Sequence, residues 1–297
     1  MSTAPLAIIG LGAVGTALAH ACARAGVPVA AVASRSPAKA EDLAAAVGAR
    51  AVSIAEASAS ASLIALTVAD RAIEDAAALL GGVEGRTVFH ASGSRPSTCL
   101  GPLASRGAHV ASWHPLAAIA ARHGPDAPEA YADMFRGAAV AIEGHAAALP
   151  ALRTLATALG ARPFDIAADD KPAYHLGAAI LAGFSVALAE IADAQWRSIG
   201  LPPEIAHDGL AHLLGTVAAN LAAAPAPGSA LTGPIVRGDV EALARQAARA
   251  RELSPAAAAL YRAHTTHLIT LALGASRITP ETAEQLALVI ADLSDAP

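Results

Sequence analysis

Residues Leu6 to Thr16, LAIIGLGAVGT, constrain this chain more than any other stretch, because an apolar run passes directly into Gly10-x-Gly12-x-x-Gly15 and then into a helical pattern from Ala13 to Arg24. That is the order of a strand, a tight turn and a helix N-terminus. Gly10 permits the turn, Gly12 lets the backbone approach a pyrophosphate, and Gly15 allows close packing of helix on strand. The free N–H groups and dipole of the helix attract the anion. The spacing predicts a dinucleotide held at Gly10, Gly12, Ala13, Val14 and Gly15, rather than a glycine-rich turn of some other α/β protein.

The second predicted strand, Val27 to Ala33, ends where the adenosine ribose of such a ligand lies. An NAD-preferring fold usually has Asp or Glu there to accept from the 2′-hydroxyl. This chain has Ser34, Arg35 and Ser36. No carboxylate repels a 2′-phosphate, Arg35 can stack on adenine and bond the phosphate, the two serines can donate to it, and Lys39 follows one turn later. The expected cofactor is NADP(H); the alternative is a solvated Arg35 beside an unselective pocket.

At 297 residues the chain is long enough for two domains. Its apolar content of 55% comes largely from alanine, with aromatics at 3%, so closely packed helices with small side chains are expected. A net charge of −5 gives no footprint for nucleic acid, and no basic run suits a membrane surface. Small anionic metabolites must then be held by local cations. Cys22 and Cys99 have neither metal-ligand nor disulfide-framework spacing, and MSTAPLAIIG lacks the cationic start of a secretion signal. A cytoplasmic location is expected. The longest uncharged apolar run, Leu176 to Ala189, spans 14 residues, short of the roughly 20 that cross a bilayer. It reads as a buried helix.

Before residue 168, short β-rich runs alternate with helices. Ser62 to Thr67, Arg86 to Ala91 and Ala108 to Trp113 read as further parallel strands, and Ala138 to Ile142 and Pro163 to Ala167 as two more around a helix from Ala146 to Leu159. After Asp169 strand signals stop and five helical patterns follow, near 169–198, 203–223, 238–251, 255–273 and 279–293. The expectation is an α/β chain: a Rossmann domain with a doubly wound parallel sheet at 1–167, then an all-α domain at 168–297 for substrate binding and dimerisation, with the substrate cleft between them. Alanine-rich helix faces in excess of what one small bundle hides predict a homodimer.

Ligands of open α/β sheets sit beyond the carboxyl ends of the strands. Those ends are Thr67-Val68-Ala69-Asp70, His90-Ala91-Ser92-Gly93-Ser94 and Ser112-Trp113-His114-Pro115-Leu116. Thr67, Val68 and Ser92 are candidate cofactor contacts, and His114, held extended by Pro115, is a candidate substrate or nicotinamide contact or else a structural histidine. His90 suits the core as well as the site. The helical region opens with Asp169-Asp170-Lys171-Pro172-Ala173-Tyr174-His175, in which Lys171 and His175 are four apart and share a face with Ala178 and Ala182. They can donate a proton to a reduced carbonyl oxygen and hold the substrate, or form a solvated cationic first turn. A cation at a helix N-terminus opposes the dipole, a conflict typical of functional sites. In Leu231-Thr232-Gly233-Pro234-Ile235-Val236-Arg237-Gly238-Asp239, Arg237 can pair with a substrate carboxylate, Thr232 can hydrogen-bond it, and Asp239 can orient the arginine or cap the next helix; a structural Arg237 is the alternative. His264 and His267 have helical spacing without a carboxylate, and no metal is expected.

The stretches IIGLGAVG, WHPL (Trp113 to Leu116), KPAYHLGAA (Lys171 to Ala179) and LTGPIVRGD together resemble a bacterial family of oxidoreductases that join a Rossmann-like domain to a helical domain of unknown function. This family lies within the superfamily of 6-phosphogluconate dehydrogenase, ketopantoate reductase and pyrroline-5-carboxylate reductase. WHPL is also similar to the His-Pro turn of prephenate dehydrogenases, whose histidine faces the substrate. In the hydroxyacid and ketopantoate branches a helix-borne Lys with an Asn one turn later carries proton transfer and substrate binding. The resemblance places Lys171 at that Lys and His175 at that Asn. Gly183 stands where the closer family commonly has Asn, which leaves the substrate open. The implied activity is NADPH-dependent hydride transfer to a small carboxylate-bearing ketone, a 2-oxo acid such as ketopantoate. A cyclic imine reductase and a non-catalytic NADP(H)-binding regulatory protein are the alternatives.

Overall fold

The structure, a computed structural model, describes residues 4–124, 126–291 and 293. It contains two compact units, Met1–Ala182 and Gly183–Pro297. The first is built on β1 (Leu6–Ile9), β2 (Val29–Ala33), β3 (Arg50–Ala51), β4 (Leu63–Leu66), β5 (Thr87–His90), β6 (His109–Pro115), β7 (Ala139–Gly144) and β8 (Arg162–Asp165), in sheet order β3-β2-β1-β4-β5-β6-β7-β8. The order reverses between β1 and β4, the switch point at which such sheets bind ligands beyond their carboxyl ends. Between the strands run α1 (Ala13–Arg24), α2 (Pro37–Val47), α3 (Ile54–Ser60), α4 (Ile73–Ala78), α5 (Gly101–Ala104), α6 (Ala127–Ala132) and α7 (Leu149–Ala158).

Alternation along β1 explains why the sheet carries helices on both faces. Leu6 and Ile8 join one core with Leu18, Leu43, Phe135 and Leu152, while Ala7 and Ile9 join the other with Ala57, Ile73 and Leu103. Trp113, fully buried on β6, packs against Phe89 and Phe135. All neighbouring strands run parallel except β6 and β7, which pair antiparallel with Pro115 opposite Val140. The sheet is therefore the expected doubly wound parallel one, with a single antiparallel pair. The link from β6 leaves and returns at the same end of the strands, and within it α6 packs onto α1, where buried Tyr131 stacks on His20. β3 is a two-residue edge strand that no hydrophobic pattern announced.

Beyond β8 the chain is helical: α8 (Lys171–Ser198), α9 (Pro203–Ala223), α10 (Pro234–Arg237), α11 (Val240–Leu253), α12 (Pro255–Gly274) and α13 (Pro280–Ala291). The two compact units divide inside α8. The core of the second comes from α10 to α13, with Ile235, Leu243, Ile269, Leu286 and Ile290. Neither α8 nor α9 adds a side chain to it, and Ala206 is the one buried residue of α9.

The reading of Leu176 to Ala189 as a buried helix is therefore wrong. Leu176, Ile180, Phe184 and Leu188 are 40% to 59% exposed. The run is one part of a longer helical stretch, 168–198, whose most apolar 18-residue window has a mean hydropathy of 1.7 and no buried residue. Length and composition alone would let that helix cross a membrane. Apolar residues there occupy every face of the helix, whereas a helix on a soluble core has one apolar stripe.

Candidate active site

The glycine turn is shaped by close approach, and the three glycines do different things. Gly10 has φ +97°, and a Cβ there would lie 2.6 Å from Val68 Cγ1 and 2.8 Å from the Val68 nitrogen. A Cβ on Gly15 would lie 2.0 Å from the Gly10 carbonyl oxygen and 2.6 Å from Thr67 Oγ1. The Thr67 hydroxyl donates to that same carbonyl at 2.7 Å. Thr67 and Val68, expected as cofactor contacts, therefore pack under the turn and set its shape. Gly12, the extended N-cap of α1, has nothing within 4 Å of its Cβ position. That open side is where an anion can reach the N–H groups of Ala13 and Val14.

At the end of β2, the Ser36 side chain caps α2 by accepting from the Lys39 N–H, and the Ser34 hydroxyl accepts from the Ser36 N–H at 3.2 Å. The acceptor capacity of both serines serves the backbone and leaves their O–H groups to donate. Arg35 and Lys39 are exposed and form no ion pair among the described residues. A groove of about 480 Å³ runs from Gly12 and Ala13 past Lys39 to Arg122, His123 and Tyr131. Arg122 and His123 escaped the sequence reading. Their loop is brought there by the Tyr131 hydroxyl, which accepts from the Arg122 N–H at 2.7 Å.

The second cluster lies at the carboxyl ends of β5 and β6. Lys171, the first residue of α8, is fully buried, and its ammonium donates to the Ser92 carbonyl at 2.9 Å and to the Ser112 hydroxyl. Burial pushes its pKa down, an effect that Glu143 opposes most. Glu143 is itself buried and held by the Ser97 N–H at 2.6 Å and the Ser97 hydroxyl at 2.7 Å. The expected alternative of a solvated Lys171 is excluded.

His175, one turn after Lys171, meets His114 edge to face with ring centres 5.6 Å apart. A Cβ on Gly93 would lie 2.3 Å from His175 Nδ1 and 2.7 Å from His114 Nε2, so both rings sit directly over a glycine. His175 Nδ1 is buried without a hydrogen-bond partner. The Tyr174 hydroxyl lies 2.8 Å from His114 Nδ1. Burial, then the charge of Lys171, pushes His114 down to about 4, so it is neutral near pH 7. Fully buried His90, pushed to about 4 by the same two causes, accepts from the Ser92 N–H at 3.2 Å. Ser92, expected at the cofactor, gives its hydroxyl proton to Asp70 at 2.7 Å and its carbonyl to Lys171. It braces the turn that carries Gly93.

Lys171, His175 and His114 are thus gathered at one place, together with Tyr174 and Gly93, which sequence reasoning missed. Gly93 sat within a stretch already marked as a strand end, and that was its only signal. Thr232 and Arg237 belong to the second unit, where both are exposed and Arg237 has no ion pair among the described residues. Asp239 caps α11 by accepting from the Ala242 N–H at 2.9 Å, which settles its two expected roles in favour of the cap.

Comparison with known proteins agrees with this architecture. Residues 5–89 match the family described as NADP oxidoreductase, coenzyme F420-dependent, and residues 138–268 match a domain of unknown function, DUF2520. Among the curated proteins none matches. Among solved structures, a protein from Thermotoga maritima is 24% identical with a TM-score of 0.67, covering 91% of this chain and 99% of its own. A reductive aminase from Aspergillus terreus in complex with NADPH4, cyclohexanone and allyl amine is 22% identical with a TM-score of 0.57, covering 98% and 93%. Pyrroline carboxylate reductase of Plasmodium falciparum with NADP bound is 11% identical with a TM-score of 0.62, covering 97% and 99%. The chain thus joins a segment similar to an NADP oxidoreductase domain of the coenzyme F420-dependent type, residues 5–89, to one similar to DUF2520, residues 138–268.

Proposed function

We propose that this protein is an NADPH-dependent reductase that transfers hydride to a small carboxylate-bearing ketone, a 2-oxo acid of the ketopantoate kind. The observation that carries this reading is the buried Lys171 ammonium, bonded among the described residues only to a carbonyl and a hydroxyl and set beside a neutral His114. Among the described residues no carboxylate pairs with it, and Glu143, which acts on it without contact, is engaged by Ser97, so its field is available to an anionic substrate and to the negative charge that develops on a reduced carbonyl oxygen. β1, β4, β5 and β6 are consecutive in the sheet, so His114 stands three strand spacings from the glycine turn, about 14 Å. That separation suits a dinucleotide whose pyrophosphate lies at Gly12 and whose nicotinamide reaches toward Gly93.

A cyclic imine is the second reading, supported by the fold shared with a reductive aminase and a pyrroline carboxylate reductase. The enclosed ammonium weighs against it, because an imine arriving protonated would meet a like charge. NADPH oxidation across a panel of 2-oxo acids and cyclic imines separates the two. Tight NADPH binding with no oxidation on any of them would instead favour a regulatory protein. For the cofactor, Arg35→Ala should weaken NADPH binding by roughly 1.5 to 3 kcal/mol, the range of a charged hydrogen bond, with little effect on NADH. Equal losses for both would remove Arg35 from the 2′-phosphate.

The exposed apolar faces of α8 and α9, with Leu176, Ile180 and Phe184 on one and Leu213, Val217 and Leu221 on the other, are proposed to be covered by a second copy of the chain. Glu190, Asp193 and Arg197 on α8, the last two ion-paired, suit a protein interface better than a lipid one. Light scattering at micromolar concentration should give a dimer mass without detergent; a monomer mass would refute it. The free thiols Cys22 and Cys99 fit the reducing cytoplasm proposed as its location.

A further inference from the structure

Tyr174 has no part in the reductase reading so far, yet its hydroxyl is the only group bonded to the His114 ring among the described residues. It lies 2.8 Å from His114 Nδ1 and 3.3 Å from the His114 carbonyl oxygen. The phenol has one proton for these two acceptors. The longer contact is outside the usual O–H···O range of about 2.5 to 3.0 Å, and the shorter is well formed. A phenol is also a stronger acid than a neutral imidazole N–H, and its oxygen is a weaker acceptor than an imidazole nitrogen. Donation therefore runs from Tyr174 to Nδ1. The phenol ring is fixed by edge contacts with His114 at 5.5 Å and with Phe164 at 6.0 Å. An unprotonated Nδ1 requires the proton of the neutral ring to be on Nε2, the nitrogen that sits over Gly93.

We propose that Tyr174 holds His114 as the Nε2–H tautomer and relays through it the proton that the reduced oxygen takes up. The step rests on the reductase reading and balances as follows. Hydride passes from NADPH to the carbonyl carbon while the carbonyl π pair moves to oxygen. That oxygen bonds the Nε2 proton, Nδ1 takes the phenolic proton as the Nε2–H bond breaks, and NADP+ and a tyrosinate remain. A water molecule then gives a proton to Nε2 and leaves as hydroxide to solvent, while Nδ1 returns its proton to the tyrosinate, which restores the neutral phenol and the Nε2–H imidazole. The groups that face His114 fit this traffic. Lys171 and His175 disfavour an imidazolium there, with Asp70 opposing them and His90 adding a small effect in the same sense. Burial pushes Tyr174 up to about 12, so the phenol keeps its proton between turnovers.

The test is the nitrogen-15 NMR spectrum of histidine-labelled full-length protein with NADPH, at pH 7. The His114 signals are identified by their loss in His114→Gln. The expected result is a protonated Nε2 and a bare Nδ1 in the wild type, and a mixture of tautomers in Tyr174→Phe, which keeps the ring and loses the hydroxyl. A wild-type spectrum with the proton on Nδ1 overturns the proposal whether or not the variant folds, and so does an unchanged tautomer in Tyr174→Phe. On a substrate found by the panel, Tyr174→Phe should lower kcat by about 10²-fold with NADPH affinity unchanged. If the wild type fails to oxidise NADPH with every member of the panel, the reductase reading fails, while the tautomer result stands or falls separately.

Discussion

Lys171→Met should lower turnover by about 10²- to 10³-fold, the usual cost of removing one preorganised electrostatic contact to a transition state, while NADPH affinity stays close to wild type. Methionine keeps the length of the stem and removes only the charge and its donors. The fold should tolerate it, because two effects oppose each other. The Ser92 carbonyl and Ser112 hydroxyl lose a donor, at about 1 to 3 kcal/mol for an unsatisfied buried group, but the desolvation of a fully buried ammonium is also removed. The charge has a second readout. Burial first, and then the charge of Lys171, pushes both His114 and His90 down to about 4, and a cation lowers an imidazole pKa by disfavouring imidazolium. Its removal must raise both, so an NMR titration of Lys171→Met should find each histidine protonating at higher pH than in wild type. Near-wild-type turnover on an identified substrate would mean that the ammonium field does not reach the reacting oxygen.

This role differs from the one the spacing of Lys171 and His175 suggested, and the difference shows what a sequence exposes. Element types were legible wherever a period was: α1 runs Ala13–Arg24 as expected, and six strands, β2 and β4 to β8, begin and end within two residues of the predicted runs. Local chemistry was legible too, as in the Asp239 cap. What stayed hidden depends on contacts between distant residues. Lys171 reaches Ser92 across 79 positions and Ser112 across 59, so its burial cannot be seen from α8 alone. Tyr174 meets His114 across 60. Its neighbours Lys171 and His175 drew attention because a helical spacing of four is visible in one dimension, whereas a phenol on an adjacent turn position looks like any core aromatic. The exposure of α8 was misread for a related reason. An apolar run reports that a surface avoids water, and it does not report whether the same chain covers it.

Gly15→Ala and Gly12→Ala should both abolish or weaken cofactor binding, but for opposite reasons, and the pair therefore tests whether the glycine turn is a structural device or a binding one. The added methyl of Gly15→Ala would be 2.0 Å from a backbone oxygen, that of Gly10, and 2.6 Å from Thr67 Oγ1. Neither can yield cheaply. The Gly10 oxygen accepts the Thr67 hydroxyl at 2.7 Å, and Gly10 already uses φ +97°. Overpacking of this kind costs about 1 to 3 kcal/mol, and here the strain falls on backbone, so a loss at the upper end is expected in thermal unfolding of the unliganded protein. NADPH binding should fall with it as α1 is pushed off the turn. Gly12→Ala meets nothing within 4 Å and has an ordinary φ of −77°. Its unliganded melting temperature should match wild type, or rise slightly from the lower entropy of the unfolded chain. If a pyrophosphate crosses the open side of Gly12, the methyl occupies that path and NADPH affinity should drop roughly 10- to 100-fold, about 1.4 to 2.8 kcal/mol. Calorimetric titration with NADPH, set beside melting curves without it, resolves both. A Gly12→Ala protein that melts normally and binds NADPH as tightly as wild type would show that the cofactor phosphates lie elsewhere, with the cationic groove at Lys39 and Arg122 the next place to look.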